Sequence, residues 1–165
     1  MATSTDFKQI HCSIARSFAV FGDPWKALVI RDVHLGLNRF DQFVDDLGVS
    51  RKVLTERLND MIDDQLLERV RYQDHPPRYD YVLTERGRDV VPIVLAAMAW
   101  GDRWLAGTEG VPAIPIHADH VCTIEIVCST CQQSIDANDI TAAVGAGAQP
   151  GRGTALIGTR MTHLE

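Results

Sequence analysis

Four cysteines are the residues of this chain with the widest chemical range. Two of them form C-S-T-C at 128–131, with His117, His120 and Cys122 shortly before. A C-x-x-C pair offers two thiolates from one tight turn, and tetrahedral zinc takes four N or S ligands. Cys122, Cys128, Cys131 and His120 are therefore the candidate metal ligands, and zinc is the candidate cofactor. Gln132 stands where such a turn usually carries glycine, and the upstream ligands are irregularly spaced. The competing expectation is a small strand module with buried or slowly oxidising thiols. A thioredoxin-like role has no support, because the pair does not open a helix inside a βαβ unit. Cys12 is expected in the first turn of a helix with Arg16 one turn further on, a setting that favours the thiolate and makes Cys12 a candidate redox sensor. A buried cysteine at a subunit interface is the plainer alternative. His11, His34 and His75 have no carboxylate or nucleophile partner in any motif, so no catalytic residue is assigned and no enzyme is expected.

A second chemistry is cationic. The stretch V-S-R-K-V-L-T-E-R-L-N-D-M-I-D-D begins with a capping serine and two cations and ends in aspartates. At about 100° per residue, a helix burying Leu54, Leu58 and Met61 turns Lys52, Glu56, Asn59 and Asp63 outward, with Thr55 at the margin. Its first turn presents Ser50, Arg51 and Lys52 together with the positive end of the helix dipole, which suits a phosphate or a guanine edge. The strands L-L-E-R-V-R-Y-Q and Y-D-Y-V-L-T follow, separated by D-H-P-P-R. Two prolines cannot join a ladder, so this is a hairpin with a stiff tip carrying Arg71, His75 and Arg78. The plainer reading pairs these cations with Glu68 and Asp74.

Other elements must hold this pair. A helix is expected over 10–21, with Ile14, Phe18 and Phe21 on one face. G-D-P-W reads as stop, cap and restart, with Asp23 capping and Pro24 in the first turn of a helix that L-G-L-N ends. A short third helix holds Phe40, Phe43, Val44 and Leu47, and Gly48 breaks it. Thr84 caps a closing helix that is apolar nearly all round beyond Arg88, and Pro92 should kink it or break it in two. One chain of this size seldom buries both faces of a terminal helix, so a second subunit is the natural cover. A C-terminal segment folding back over it is the alternative. From Gly107 the texture changes to a proline-punctuated linker, a strand V-C-T-I-E-I-V-C, and a Gly/Ala-rich tail expected to be mobile.

The order of elements is that of a winged helix-turn-helix: mainly α with a small β-hairpin wing, dimeric through its closing helix, plus a small C-terminal β extension. Residues 1–107 are expected to form the DNA-binding and dimerisation domain and residues 108–165 the extension. The 165 residues are 45% apolar and 23% charged, as in globular proteins. A net charge of −6 argues against a general polyanion binder. Residues 1–106 nevertheless hold 14 Lys and Arg against 16 Asp and Glu, so most of the excess acid lies beyond them. A sequence-specific binder needs only a local cationic surface. No apolar run approaches the ~20 residues of a membrane span. The N-terminus lacks a basic stretch followed by an apolar core, so a cytoplasmic protein is expected.

H-C-S-I-A-R-S-F-A-V-F-G-D-P-W-K-A-L-V-I-R-D, R-F-D-Q-F, V-S-R-K-V-L-T-E-R-L-N-D-M and H-P-P-R-Y-D-Y-V-L-T-E-R-G resemble the HxlR family of bacterial transcriptional regulators, relatives of the MarR group. The resemblance covers about residues 10–106. It implies a homodimer bound to a pseudo-palindromic double-stranded DNA operator, and a repressor is the expectation; its signal is open between thiol oxidation, a small aromatic or electrophilic ligand near Trp25, Trp100 and Trp104, and no signal. A metal-binding or protein-interaction module that has lost DNA binding is the rival. It also implies dimerisation through the first and last helices, and a position for Cys12 at which some members sense oxidants. Two departures stand out: Ser13 follows Cys12 where the family usually has proline, and Asp60, Asp63 and Asp64 make the end of the recognition helix acidic.

Overall fold

A computed structural model describes residues 6–161. The chain divides into two compact units, one holding the described residues through Arg88 together with those from Thr141, the other residues 89–140.

In the first unit, α1 (Ser13–Phe21) starts three residues later than its apolar spacing predicts. Asp6 caps a single 3-10 turn over Phe7–Gln9, and Ile10 then adopts extended geometry and is buried. A buried Ile10 needs the chain to turn before the helix begins. Cys12 therefore occupies the N-cap of α1, not its first turn, and its side chain makes no capping bond. The next helix, α2 (Pro24–His34), begins where G-D-P-W places it: an Asp23 carboxylate oxygen accepts from the amides of Trp25 at 2.9 Å and Lys26 at 3.4 Å, and Pro24 fills a position whose N–H is not needed. Then comes α3 (Phe40–Leu47), closed by Gly48 at φ 61°, a left-handed cap that glycine enters without a Cβ penalty.

The fourth helix, α4 (Arg51–Asp63), is capped by Ser50, whose Oγ accepts from the Val53 amide at 3.3 Å. Gln65 at φ 57° ends the helical run, and the Leu66 amide donates to Met61 O as the chain enters β1 (Leu67–Gln73). Antiparallel β2 (Arg78–Leu83) pairs Leu67 with Leu83 and Gln73 with Arg78, with an irregularity between Arg71 and Gln73. Asn38 O accepts from the Tyr81 amide at 2.7 Å, and an Arg39–Asp80 bridge ties the α2–α3 connection to the hairpin edge. Val29 and Ile30 of α2, Phe43 of α3, and Leu54, Leu58 and Met61 of α4 are essentially inaccessible, as are Leu66 and Leu67. Burial of such side chains contributes about 1.5–3 kcal/mol each, so this core sets the pitch of α4 and the root of the wing together.

Thr84 Oγ1 accepts from the Gly87 amide at 3.0 Å and starts α5 (Glu85–Arg88). The closing helix is broken in two, as Pro92 requires: its ring nitrogen has no hydrogen to continue the ladder, so it sits in the first turn of α6 (Val91–Leu105).

In the second unit, β3 (Ile116–His117) and β4 (His120–Val121) make a two-rung hairpin. The strand expected over 121–128 is not formed. Beyond Val121, the Cys122 amide donates to Pro115 O at 3.0 Å, but Pro115 has no N–H to return and pairing stops. Pairing resumes only as a single bridge between Val127 and Ser134.

Candidate nucleic-acid interface

The core fixes what α4 shows to solvent. With Leu54, Leu58 and Met61 buried, Arg51, Lys52, Thr55, Glu56, Asn59 and Asp63 are exposed, as the helical period required. Ser50 is exposed too, but its oxygen is engaged as the cap. Thr55 donates its hydroxyl back to Arg51 O at 2.7 Å, which leaves an oxygen and a methyl group facing out.

The cations divide into held and unheld. Arg51 pairs with Asp41 at 2.7 Å and its guanidinium lies 4.6 Å from the centre of the Phe40 ring, so the start of α3 positions it. Both partners are well exposed, and an exposed pair contributes at most about 1 kcal/mol, so a phosphate can displace Asp41. Arg71 is turned back on the wing: it donates to Gln73 O and Asp74 O and pairs with Asp74 at 3.2 Å. That is the plainer reading for this residue. Among the described residues, neither Lys52 nor Arg78 forms an ion pair. His75 and Arg78 are exposed at the tip, where Gln73 Nε2 donates to the carbonyls of His75 and Pro76 and holds the loop.

Two cations of the wing root are added by the structure. Arg39 lies 4.6 Å over Tyr72 and pairs with Asp80 at 3.2 Å, while Arg69 stacks on Tyr79. Arg69 was legible in principle, since cross-strand register in a hairpin brings it near Tyr79. Arg39 comes from 33 residues upstream of Tyr72 and had no local signal.

The acidic end of α4 has internal work. Asp64 pairs with Lys8 at 2.6 Å and with Lys26 at 3.3 Å, and Lys26 is buried and also donates to Val20 O. Burial opposes the Asp64 charge, but hydrogen bonds and charge from the two lysines outweigh it and hold the carboxyl below its ordinary value. Arg57 reaches both Asp60 and the second oxygen of the capping Asp23. Asp60 and Asp63 are exposed. Asp64 is thus neutralised by the N-terminal turn and α2, while Asp60 meets Arg57 within α4 itself.

A capped, outward-facing helix beside a hairpin is the arrangement that reads duplex DNA in winged helix-turn-helix proteins. The family model described as HxlR-like helix-turn-helix matches residues 20–109. The chain belongs to the HxlR family. It is 34% identical over 139 residues to the HTH-type transcriptional regulator Mb3122 of Mycobacterium bovis, covering 82% of this chain and 87% of that one. The crystal structure of the transcription factor PA1607 superposes with a TM-score of 0.74 at 26% identity, over 84% of this chain and 99% of the other. The redox regulator HypR, in its oxidised form, gives 0.52 at 31% identity over 56% and 96%. This HxlR protein is a winged-helix transcriptional regulator, and no helix among its described residues is long and apolar enough to cross a membrane.

The four cysteines of this HxlR chain are free thiols. Cys12 is half-buried, and Arg16 is directed elsewhere, donating to Ile10 O at 2.8 Å and to the His11 ring. The expected zinc ligands are not brought together: no three His, Cys, Asp or Glu among the described residues are placed to hold a metal. His120 lies beside Asp119 and edge-on to His117, and the Cys122 thiol points at Pro115 O. Only Cys128 and Cys131 share a turn. Amides of Cys131 and Thr130 donate to the Cys128 sulfur and lower its pKa.

Proposed function

We propose that this regulator binds a pseudo-palindromic operator as a homodimer and represses transcription in the cytoplasm, with residues 1–107 carrying DNA binding and dimerisation and residues 108–165 appended. The observation that carries the reading is the first turn of α4: Arg51 and Lys52 project from a capped helix N-terminus whose opposite face is locked into the core. Ser50, Arg51, Lys52, Thr55, Glu56 and Asn59 would face the major groove, with Arg71, His75 and Arg78 against the flanking backbone. Two features support a dimer. Ile14 and Phe18 on α1 are 69% and 62% exposed, and Trp100 and Trp104 on α6 are 60% and 62% exposed. Apolar surface of this kind on terminal helices suits burial against a second copy. Two copies of α4 would then meet half-sites about 34–36 Å apart. HypR is described as a redox regulator, and oxidation of Cys12 at the start of α1 is the input this reading assigns.

A gel shift with the DNA upstream of the protein's own gene tests it. The wild type should retard that DNA with steep salt dependence, and Arg51→Ala with Lys52→Ala should abolish specific retardation while leaving the helical spectrum and oligomeric state unchanged. Unchanged operator affinity would refute the placement of α4. Oxidising buffer should weaken binding by the wild type but not by Cys12→Ser.

A further inference from the structure

The turn at 128–131 belongs to the second unit, and its geometry is specific. The Gln132 amide donates to Cys128 O at 2.8 Å, and the Cys128 amide donates to Gln133 O at 2.9 Å. Gln132 adopts φ 60°, so the chain takes the left-handed bend that brings a C-x-x-C turn back on itself even without glycine. The Val127–Ser134 bridge, the Ile135 amide on Ile126 O, and a Ser134–Glu125 hydrogen bond of 2.8 Å anchor both arms. Within this clamp Cys128 and Cys131 share one turn, backbone donors of Cys131 and Thr130 hold the Cys128 thiol below its ordinary pKa, and Cys131 is exposed with its thiol toward Gln133 Oε1 at 4.0 Å. Donors gathered on one sulfur stabilise its thiolate, and a neighbouring thiol supplies the second half of a disulfide. Neither Cys122 nor a histidine joins the pair to complete a metal site among the described residues.

We infer that Cys128 and Cys131 form a redox-active dithiol, oxidised by hydroperoxides to an intrachain disulfide independently of Cys12. In the first step the Cys128 thiolate attacks one peroxide oxygen. The O–O bond breaks, hydroxide leaves and is protonated to water by the proton that the Cys128 thiol gave up, and Cys128 becomes a sulfenic acid. The Cys131 sulfur then attacks the Cys128 sulfur. The S–O bond breaks, the Cys131 proton accompanies the departing hydroxide as a second water, and the S–S bond forms. Two thiols and one hydrogen peroxide thus give one disulfide and two waters, with two electrons passing from sulfur to oxygen. A disulfide closing so short a loop constrains little of the fold, so the couple changes the chemistry of this turn and not the shape of the winged helix.

The test uses the full-length protein, treated with a chelator and a reductant, desalted, and exposed to hydrogen peroxide. Peptide mass mapping should show loss of two hydrogens from the fragment holding Cys128 and Cys131, in the wild type and equally in Cys12→Ser and Cys122→Ser. Cys131→Ser should instead trap a dimedone-reactive sulfenic acid at Cys128. A disulfide joining Cys128 or Cys131 to Cys12 or Cys122, or both turn thiols left reduced, would overturn the inference. So would about one zinc per chain retained through purification with both thiols unreactive, since that outcome makes them metal ligands. None of these readouts depends on DNA binding.

Discussion

Replacing Asp64 with asparagine should disconnect the end of the recognition helix from the helices behind it. Asp64 sits at the C-cap of α4, and its two oxygens reach Lys8 at 2.6 Å and buried Lys26 at 3.3 Å. Breaking a fully buried pair costs about 3–5 kcal/mol because the remaining charge is stranded. Two facts lower that here. Lys26 keeps its bond to Val20 O at 2.9 Å, and the Lys8 side chain is half exposed, so its share is small. A loss of about 2 kcal/mol remains, the scale of a hydrogen bond to a charged group. For a chain of this size that is roughly 4–8 °C in Tm. Urea titrations of the wild type, Asp64→Asn, Lys26→Met and the double variant would isolate the coupling. The pH dependence supplies an independent check. The folded-state pKa of Asp64 is depressed, so its contribution is fully present above the unfolded value of about 3.9 and is lost as pH falls through the lower folded value. The gap between wild type and Asp64→Asn should therefore hold from neutral pH to about pH 5 and close in stronger acid. A variant that loses less than about 0.5 kcal/mol, or a gap that ignores pH, would show that these contacts do not hold the helix.

Two further outcomes follow from the packing. Gly87→Ala should destabilise by about 3 kcal/mol in thermal melts, because a Cβ there would lie 2.1 Å from Leu66 O, a backbone atom with no side-chain freedom to yield. Phe18→Glu or Trp100→Ser should convert the proposed dimer to single chains in sedimentation, with far-UV circular dichroism unchanged, since both side chains are largely exposed within the chain; an unaltered sedimentation coefficient for both would place the subunit contact elsewhere.

Where local chemistry decides, the sequence was a good guide. Asp23 and Pro24 in G-D-P-W, Gly48 after an apolar helix, Ser50 before R-K, and prolines between alternating strands each act within a few residues, and each capped or ended an element where expected. The outward set on α4 follows from the helical period once Leu54, Leu58 and Met61 are recognised as the buried side. The start of α1 was misjudged because a buried Ile10 looks the same in sequence whether it lies on a helix or in the turn before one. The strand over 121–128 failed because alternation describes one edge only, and its partner edge carries Pro115.

Sequence alone determined the winged-helix order, the cap of the recognition helix and which of its faces is apolar, because these rest on neighbours along the chain. Only tertiary structure decided which cations remain unpaired and what the aspartates do. Asp41 meets Arg51 from ten residues away and Lys8 meets Asp64 from fifty-six, and the reach of a charge is set by distance in space, which no local pattern encodes.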